Sequence, residues 1–165
     1  MAGPLNQQAQ SHDNMNQMDP SSWLELHRKL RFGDTDAAGV MHFHHLLRWC
    51  HEAYEASLEH FGVAAAEVFP TPGSLLEVAL PIVHCSADYF RPLVCGDAIT
   101  IRLEPVRLDL GSFEVRYSFT SSEQAVAQGL TRHLAIETSS RRRCALPTVI
   151  NRWLEASNLG GIQPL

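Results

Sequence analysis

Two carboxylates and a glycine fall close together in Phe32-Gly33-Asp34-Thr35-Asp36-Ala37-Ala38-Gly39-Val40-Met41-His42-Phe43. Alternating apolar and polar residues run into this stretch. Residues at helical spacing run out of it for about five turns, so the acids lie on a turn that feeds a helix N-terminus. Such an end presents backbone N–H groups without partners and a partial positive charge. An Asp beside those donors can attack a carbonyl, or activate water against it, while the donors polarise its oxygen. That is the outline of acyl transfer with neither serine nor cysteine as nucleophile. Asp36 is the candidate for the chemistry, because it lies too far upstream to cap a helix that starts near Phe43. Asp34 is expected to hold the turn through side-chain-to-backbone hydrogen bonds. Gly39 is expected to let the backbone bend or approach a substrate closely.

Other constellations carry weaker signals. His42, His44 and His45 cluster at the helix start, with His51 further on, but no cysteine or carboxylate has matching metal-ligand spacing. No metal and no cofactor is expected. Glu52 and Glu55 sit mid-helix and suit a solvent or subunit-facing surface. Arg141-Arg142-Arg143 is either a solvated run or a clamp for phosphate groups. The chain has no G-x-S-x-G elbow and no Walker or dinucleotide glycine motif.

The elements that must position these residues follow from periodicity. Leu24, Leu26, Leu30 and Phe32 alternate with Glu25, His27, Lys29 and Arg31, the pattern of a half-buried strand. Leu47, Cys50, Tyr54, Ser57, Leu58 and Phe61 recur at helical spacing, and Gly62 is a fitting stop. Strands are expected near Leu75–Val78, over Ile82–Phe90, around Ile99–Leu103, over Phe113–Phe119 and within Ala125–Thr138. Asp109-Leu110-Gly111 reads as a hairpin turn and Gly129 as a bulge. Pro147 opens a short helix carrying Val149, Ile150, Trp153 and Leu154. Successive strands on short turns are antiparallel, so the fold class is α+β: one long helix on one curled antiparallel sheet. Open sheet edges call for pairing with a second subunit.

Size and composition agree. The chain has 165 residues, enough for one domain. It is 45% hydrophobic and 19% charged, an ordinary globular composition. A net charge of −5, from 13 basic and 18 acidic residues, argues against a nucleic-acid partner. No apolar run suits a membrane span, and the polar start has no signal core. Residues 1–22 are expected to be a disordered tail and residues 23–158 the folded domain. Cys50, Cys85, Cys95 and Cys144 form no C-x-x-C pair and read as reduced thiols in a cytoplasmic protein.

The chain resembles the hot-dog-fold acyl-CoA thioesterases of the 4-hydroxybenzoyl-CoA thioesterase family. The resemblance rests on Asp34-Thr35-Asp36-Ala37-Ala38-Gly39-Val40, which matches the D-x-D-x-x-G-x-V turn. It also rests on the block from Pro81 to Pro92 followed by Cys95-Gly96-Asp97, and it covers about residues 24 to 157. Within the family it is most similar to the members that hydrolyse 1,4-dihydroxy-2-naphthoyl-CoA in phylloquinone biosynthesis. That similarity adds His51-Glu52-Ala53-Tyr54-Glu55-Ala56-Ser57-Leu58 and the ending Trp153-Leu154-Glu155. The resemblance implies hydrolysis of an aromatic acyl-CoA at a site shared by two subunits of a dimer or dimer of dimers. It assigns catalysis to Asp36 and carbonyl polarisation to the backbone N–H of Phe43. Gly39, His42, Tyr54, His84 and Tyr89 are then the expected substrate contacts, and Arg141, Arg142 and Arg143 the contacts to the CoA phosphates. Some members use a helix carboxylate, the position of Glu52 or Glu55. The chain departs from the family at Met41-His42-Phe43, where an imidazole stands in place of the aromatic ring relatives often carry. A hydroxybenzoyl or short-chain thioesterase, or a non-catalytic acyl-CoA-binding domain, is the alternative reading.

Overall fold

A computed structural model describes residues 19–158. In chain order the elements are α1 (Ser21–Leu24), β1 (Glu25–Lys29), a 3-10 turn at Phe32–Asp34, α2 (His44–Phe61), α3 (Ala65–Val68), β2 (Val78–Ala79), β3 (Ile82–Tyr89), β4 (Ala98–Asp109), β5 (Ser112–Ser121), β6 (Gln124–Leu134), β7 (Ile136–Glu137) and α4 (Thr148–Asn158). Five strands form one sheet in the order β1-β4-β5-β6-β3, and β2 pairs separately with β7. Every pairing is antiparallel. The sheet is not closed, and its open edges are β1 and β3. Of the expected tail, residues 1–18 lie outside the described residues, and the boundary at 22 is corrected, because Ser21 and Ser22 belong to α1.

Alternation builds the sheet's inner face. Phe113, Val115, Tyr117 and Phe119 of β5 are buried, as are Ile99, Ile101 and Leu103 of β4. Across this face lies α2, burying Leu46, Trp49, Cys50, Ala53, Tyr54, Ser57 and Leu58. Burying one such apolar side chain stabilises the fold by roughly 1.5–3 kcal/mol. The helix ends at Gly62, whose φ of 100° is a left-handed conformation that favours glycine. Polar anchors fix the packing: the Trp153 indole N–H donates to Ser57 Oγ at 3.1 Å, and that of Trp23 to Ser157 Oγ at 3.1 Å. Pro105 is tolerated in β4 because β1 pairs only as far as Arg102, leaving no ladder bond there to lose.

Several local expectations are corrected. Leu24 ends α1 and Phe32 is exposed, because the chain leaves the sheet at Lys29 to enter the 3-10 turn. The buried stripe of α2 begins at His45, Leu46 and Trp49; Leu47 is only partly covered. Leu75 is fully exposed, and only Val78–Ala79 of its segment pairs as a strand. Gly129 is no bulge: it sits in register opposite both Ala87 and Tyr117. A Cβ at Gly129 would fall 2.5 Å from Cys50 Sγ, so the glycine makes room for α2.

Candidate active site

The stretch from Thr35 to Met41 is a closed hairpin. Thr35 and Met41 bridge, and the Asp36 N–H donates to the Val40 carbonyl at 2.8 Å. Gly39 takes a φ of 78°, and its N–H returns to the Asp36 carbonyl at 3.0 Å. A side chain at Gly39 would be strained by that backbone rather than by lack of space. The Met41 N–H donates to the Leu93 carbonyl at 2.8 Å, anchoring the hairpin to the segment before β4. Asp97 steadies that segment by accepting the Val94 N–H at 2.8 Å. Asp34 braces the other side: its Oδ2 accepts the Arg31 N–H at 2.8 Å, and its carbonyl accepts the His42 N–H at 2.9 Å.

Asp36 is exposed on this frame. Its Oδ1 accepts the N–H groups of Ala38, at 2.8 Å, and Val40, at 3.4 Å. Its Oδ2 has no hydrogen-bond partner among the described residues, so one oxygen orients the carboxylate and the other is free. Helix α2 begins at His44 with Phe43 as its N-cap. The Phe43 N–H meets no acceptor among the described residues, although the N–H of His42 is taken by Asp34. The Phe43 carbonyl accepts the Tyr89 hydroxyl, tying this helix end to the end of β3. The Phe43 ring is exposed.

The histidines pair with one another rather than gathering around a metal. Nδ1 of His42 lies 2.7 Å from Nδ1 of His44, so one of these nitrogens carries the proton and the other accepts it. His45 is buried, and desolvation together with the neighbouring His44 lowers its pKa. No three His, Cys, Asp or Glu side chains come together as a metal would need among the described residues.

Glu52 contrasts with Asp36. It pairs with Arg28 of β1 and, at 2.7 Å, with Arg48 one turn back. Partial burial pushes its carboxyl up, but the bonds and charges of the two arginines more than reverse this, leaving it below the usual carboxylate range. Glu55 pairs with His51 at 2.9 Å.

The remaining expected residues are dispersed. His84 is exposed on edge strand β3. Arg141 lines a cavity described below, Arg142 is exposed, and Arg143 pairs with Asp109 at 3.0 Å. Tyr54 is buried, with its ring 4.7 Å from His133 and 5.7 Å from Trp153. His133 itself went unnoticed in the sequence. It stacks on Phe113 at 4.6 Å, and its Nε2 lies 3.0 Å from Thr131 Oγ1, which meets the Tyr117 hydroxyl at 3.1 Å. Its signal was the alternation Gly129, Thr131, His133, which places it on the inner face of β6.

One long helix on an antiparallel sheet, with an acidic turn at the helix start, is the hot-dog arrangement of thioesterases. Residues 30–154 match the thioesterase-like superfamily, and the chain belongs to it. It is 56% identical over 151 residues to a 1,4-dihydroxy-2-naphthoyl-CoA hydrolase from Synechococcus sp. strain CC9311, covering 88% of this chain and 99% of that one. A crystal structure of a Prochlorococcus marinus MIT 9313 protein superposes with a TM-score of 0.82 at 55% identity, covering 85% of this chain and 99% of that one. A 1,4-dihydroxy-2-naphthoyl-CoA thioesterase from Synechocystis superposes with a TM-score of 0.72 at 31% identity, covering 79% and 94%.

Proposed function

We propose that this chain hydrolyses 1,4-dihydroxy-2-naphthoyl-CoA to 1,4-dihydroxy-2-naphthoate and CoA, a step toward phylloquinone. The observation that carries the reading is the Asp36 turn leading into α2, with one free carboxylate oxygen on the turn and a free N–H at the helix start, in a chain 56% identical to a hydrolase of that thioester. The thioester carbonyl oxygen accepts the Phe43 N–H, where the helix end favours developing negative charge. Oδ2 of Asp36 then acts in one of two ways. It bonds to the carbonyl carbon, giving an anhydride that water opens, or it takes a proton from a water whose oxygen makes that bond. In either route the C–S bond breaks and the sulfur leaves with the electron pair as the CoA thiolate. That thiolate is a good leaving group, so no strong general acid is required.

The working unit is a homodimer or a dimer of dimers joined through β3. This edge is eight residues long and exposes Ile82, Val83 and Tyr89, whereas the β1 edge is five residues long and carries Glu25, Arg28 and Lys29. Two-fold antiparallel pairing of β3 strands sets the Tyr89 end of one beside the Ile82 end of the other. The Asp36 turn, tied to Tyr89 through Phe43, then faces the partner. No helix among the described residues is long and apolar enough to cross a membrane. Four free cysteines suit a cytoplasmic location. Free-thiol release from dihydroxynaphthoyl-, hydroxybenzoyl-, benzoyl-, butyryl- and acetyl-CoA tests the reading. The dihydroxynaphthoyl thioester should have the highest kcat/KM. A preference for the aliphatic thioesters would remove the substrate assignment.

A further inference from the structure

A cavity of about 380 Å³ opens beside the middle of α2, bordered by His51, Tyr54, Phe69, Ile82, His133 and Arg141. Its volume is that of a small-molecule site. Most of its wall is apolar, yet three of its residues carry polar atoms shielded from solvent and without a hydrogen-bond partner: His51 Nδ1, the Tyr54 hydroxyl and His133 Nδ1. Tyr54 and His133 are each 1% exposed. A buried polar group left unpaired is costly, and three around one cavity ask for a polar ligand.

The protonation states of Tyr54 and His133 narrow what that ligand is. Burial pushes the Tyr54 phenol up, with the Glu55 charge adding to it, so the group is a neutral O–H donor. Burial lowers His133 to about 4, outweighing the Leu80 backbone, so its ring is neutral; Nε2 is taken by Thr131 Oγ1, which leaves Nδ1 for a ligand. A neutral phenol and a neutral imidazole, both buried at one wall of the cavity, match a hydroxyl, which both donates and accepts.

We infer that the His51–Tyr54–His133 wall binds a ring hydroxyl of the acyl group, and so selects hydroxylated aromatic thioesters over bare ones. The inference rests on the proposed thioesterase reading and names how that site chooses its substrate. Tyr54 lies eleven residues along α2 from Phe43, about 16 Å at 1.5 Å per residue, farther than a two-ring acyl group reaches from its own carbonyl. The cavity therefore serves the partner's Asp36 turn, which β3 pairing brings to the Ile82 side. In the 1,4-dihydroxy-2-naphthoyl group the 1-hydroxyl is next to the carbonyl and can close on it. The 4-hydroxyl is the one free to reach the wall.

The test is binding of two thioesters, 1,4-dihydroxy-2-naphthoyl-CoA and 1-hydroxy-2-naphthoyl-CoA, to the full chain carrying Asp36→Asn, which holds them without turnover. The dihydroxy thioester should bind about tenfold or more tighter. Adding Tyr54→Phe, which removes one oxygen and keeps the ring, should erase that difference and leave the monohydroxy affinity nearly unchanged. His51→Ala, at a half-exposed position, should reduce the difference and guards against a folding defect in the Tyr54 variant. Equal affinities, failure of both to bind, or a difference that survives both changes would overturn the inference. Discrimination in binding without thiol release by the unsubstituted chain would leave this subsite standing and remove the hydrolase reading.

Discussion

Asp36 and Glu52 are both carboxylates held by α2 or the turn before it, and their surroundings are opposite. Asp36 is exposed, with one oxygen fixed by two backbone N–H groups and the other free. Glu52 is partly buried between Arg28 and Arg48, and the Arg28 guanidinium lies 4.9 Å from the Trp49 ring centre. A carboxylate neutralised by two guanidinium groups is a poor base, and its place is to tie helix to strand. A carboxylate held by neutral backbone donors has no such counter-charge beside it. The turn before α2 thus leaves its acid exposed with one oxygen free, while the middle of the helix ties its acid to two arginines.

The comparison breaks first if the exposure of the Asp36 turn persists in the working enzyme. Val83→Asp puts a charge on the exposed β3 edge and should give a monomer by light scattering, with thiol release lowered about 100-fold or more. A fully active monomer would show that the turn needs no cover. The buried side is sharpened by pH. An unfolded His takes up a proton below 6.5, and folded His133 only below about 4. Between those values the unfolded chain binds more protons, so stability falls as pH drops from 6.5 toward 4 and levels off below. The loss amounts to about 3 kcal/mol. Buried His45, also lowered, acts in the same direction. Denaturant unfolding across this range should show a steep loss that His133→Gln flattens; an unchanged slope in the variant would contradict it. The smallest effect is expected at Glu52→Gln. It should cost ~1 kcal/mol or less and leave kcat within about threefold, because the ion pairs it breaks are only partly buried. A large loss of kcat would move the reactive acid into the helix.

What could be seen in the sequence was what is local. The Asp36 turn is made by bonds among neighbours, so the spacing of Asp34, Asp36 and Gly39 sufficed to place it. Likewise β5 followed from the strict alternation of Phe113 to Phe119. Features assembled across the chain were not legible. The cavity joins His51 and Tyr54 of α2 to His133 of β6, and only the fold brings them together. Arg28 reaches Glu52 from another element, which no spacing on α2 reveals. Gly129 was read as a bulge because a strand glycine has two meanings, and only the position of Cys50 Sγ separates them. Leu75 looked like strand because it is apolar, but no neighbouring strand is there to pair with it.

The central claim is that Asp36 performs the chemistry, and Asp36→Asn tests it most directly. The substitution keeps the shape, and its amide oxygen can still accept the Ala38 N–H, so the melting temperature should hold. Steady-state thiol release from 1,4-dihydroxy-2-naphthoyl-CoA should show kcat reduced about 100-fold or more with KM little changed. Near-normal kcat in a folded Asp36→Asn chain would contradict the account.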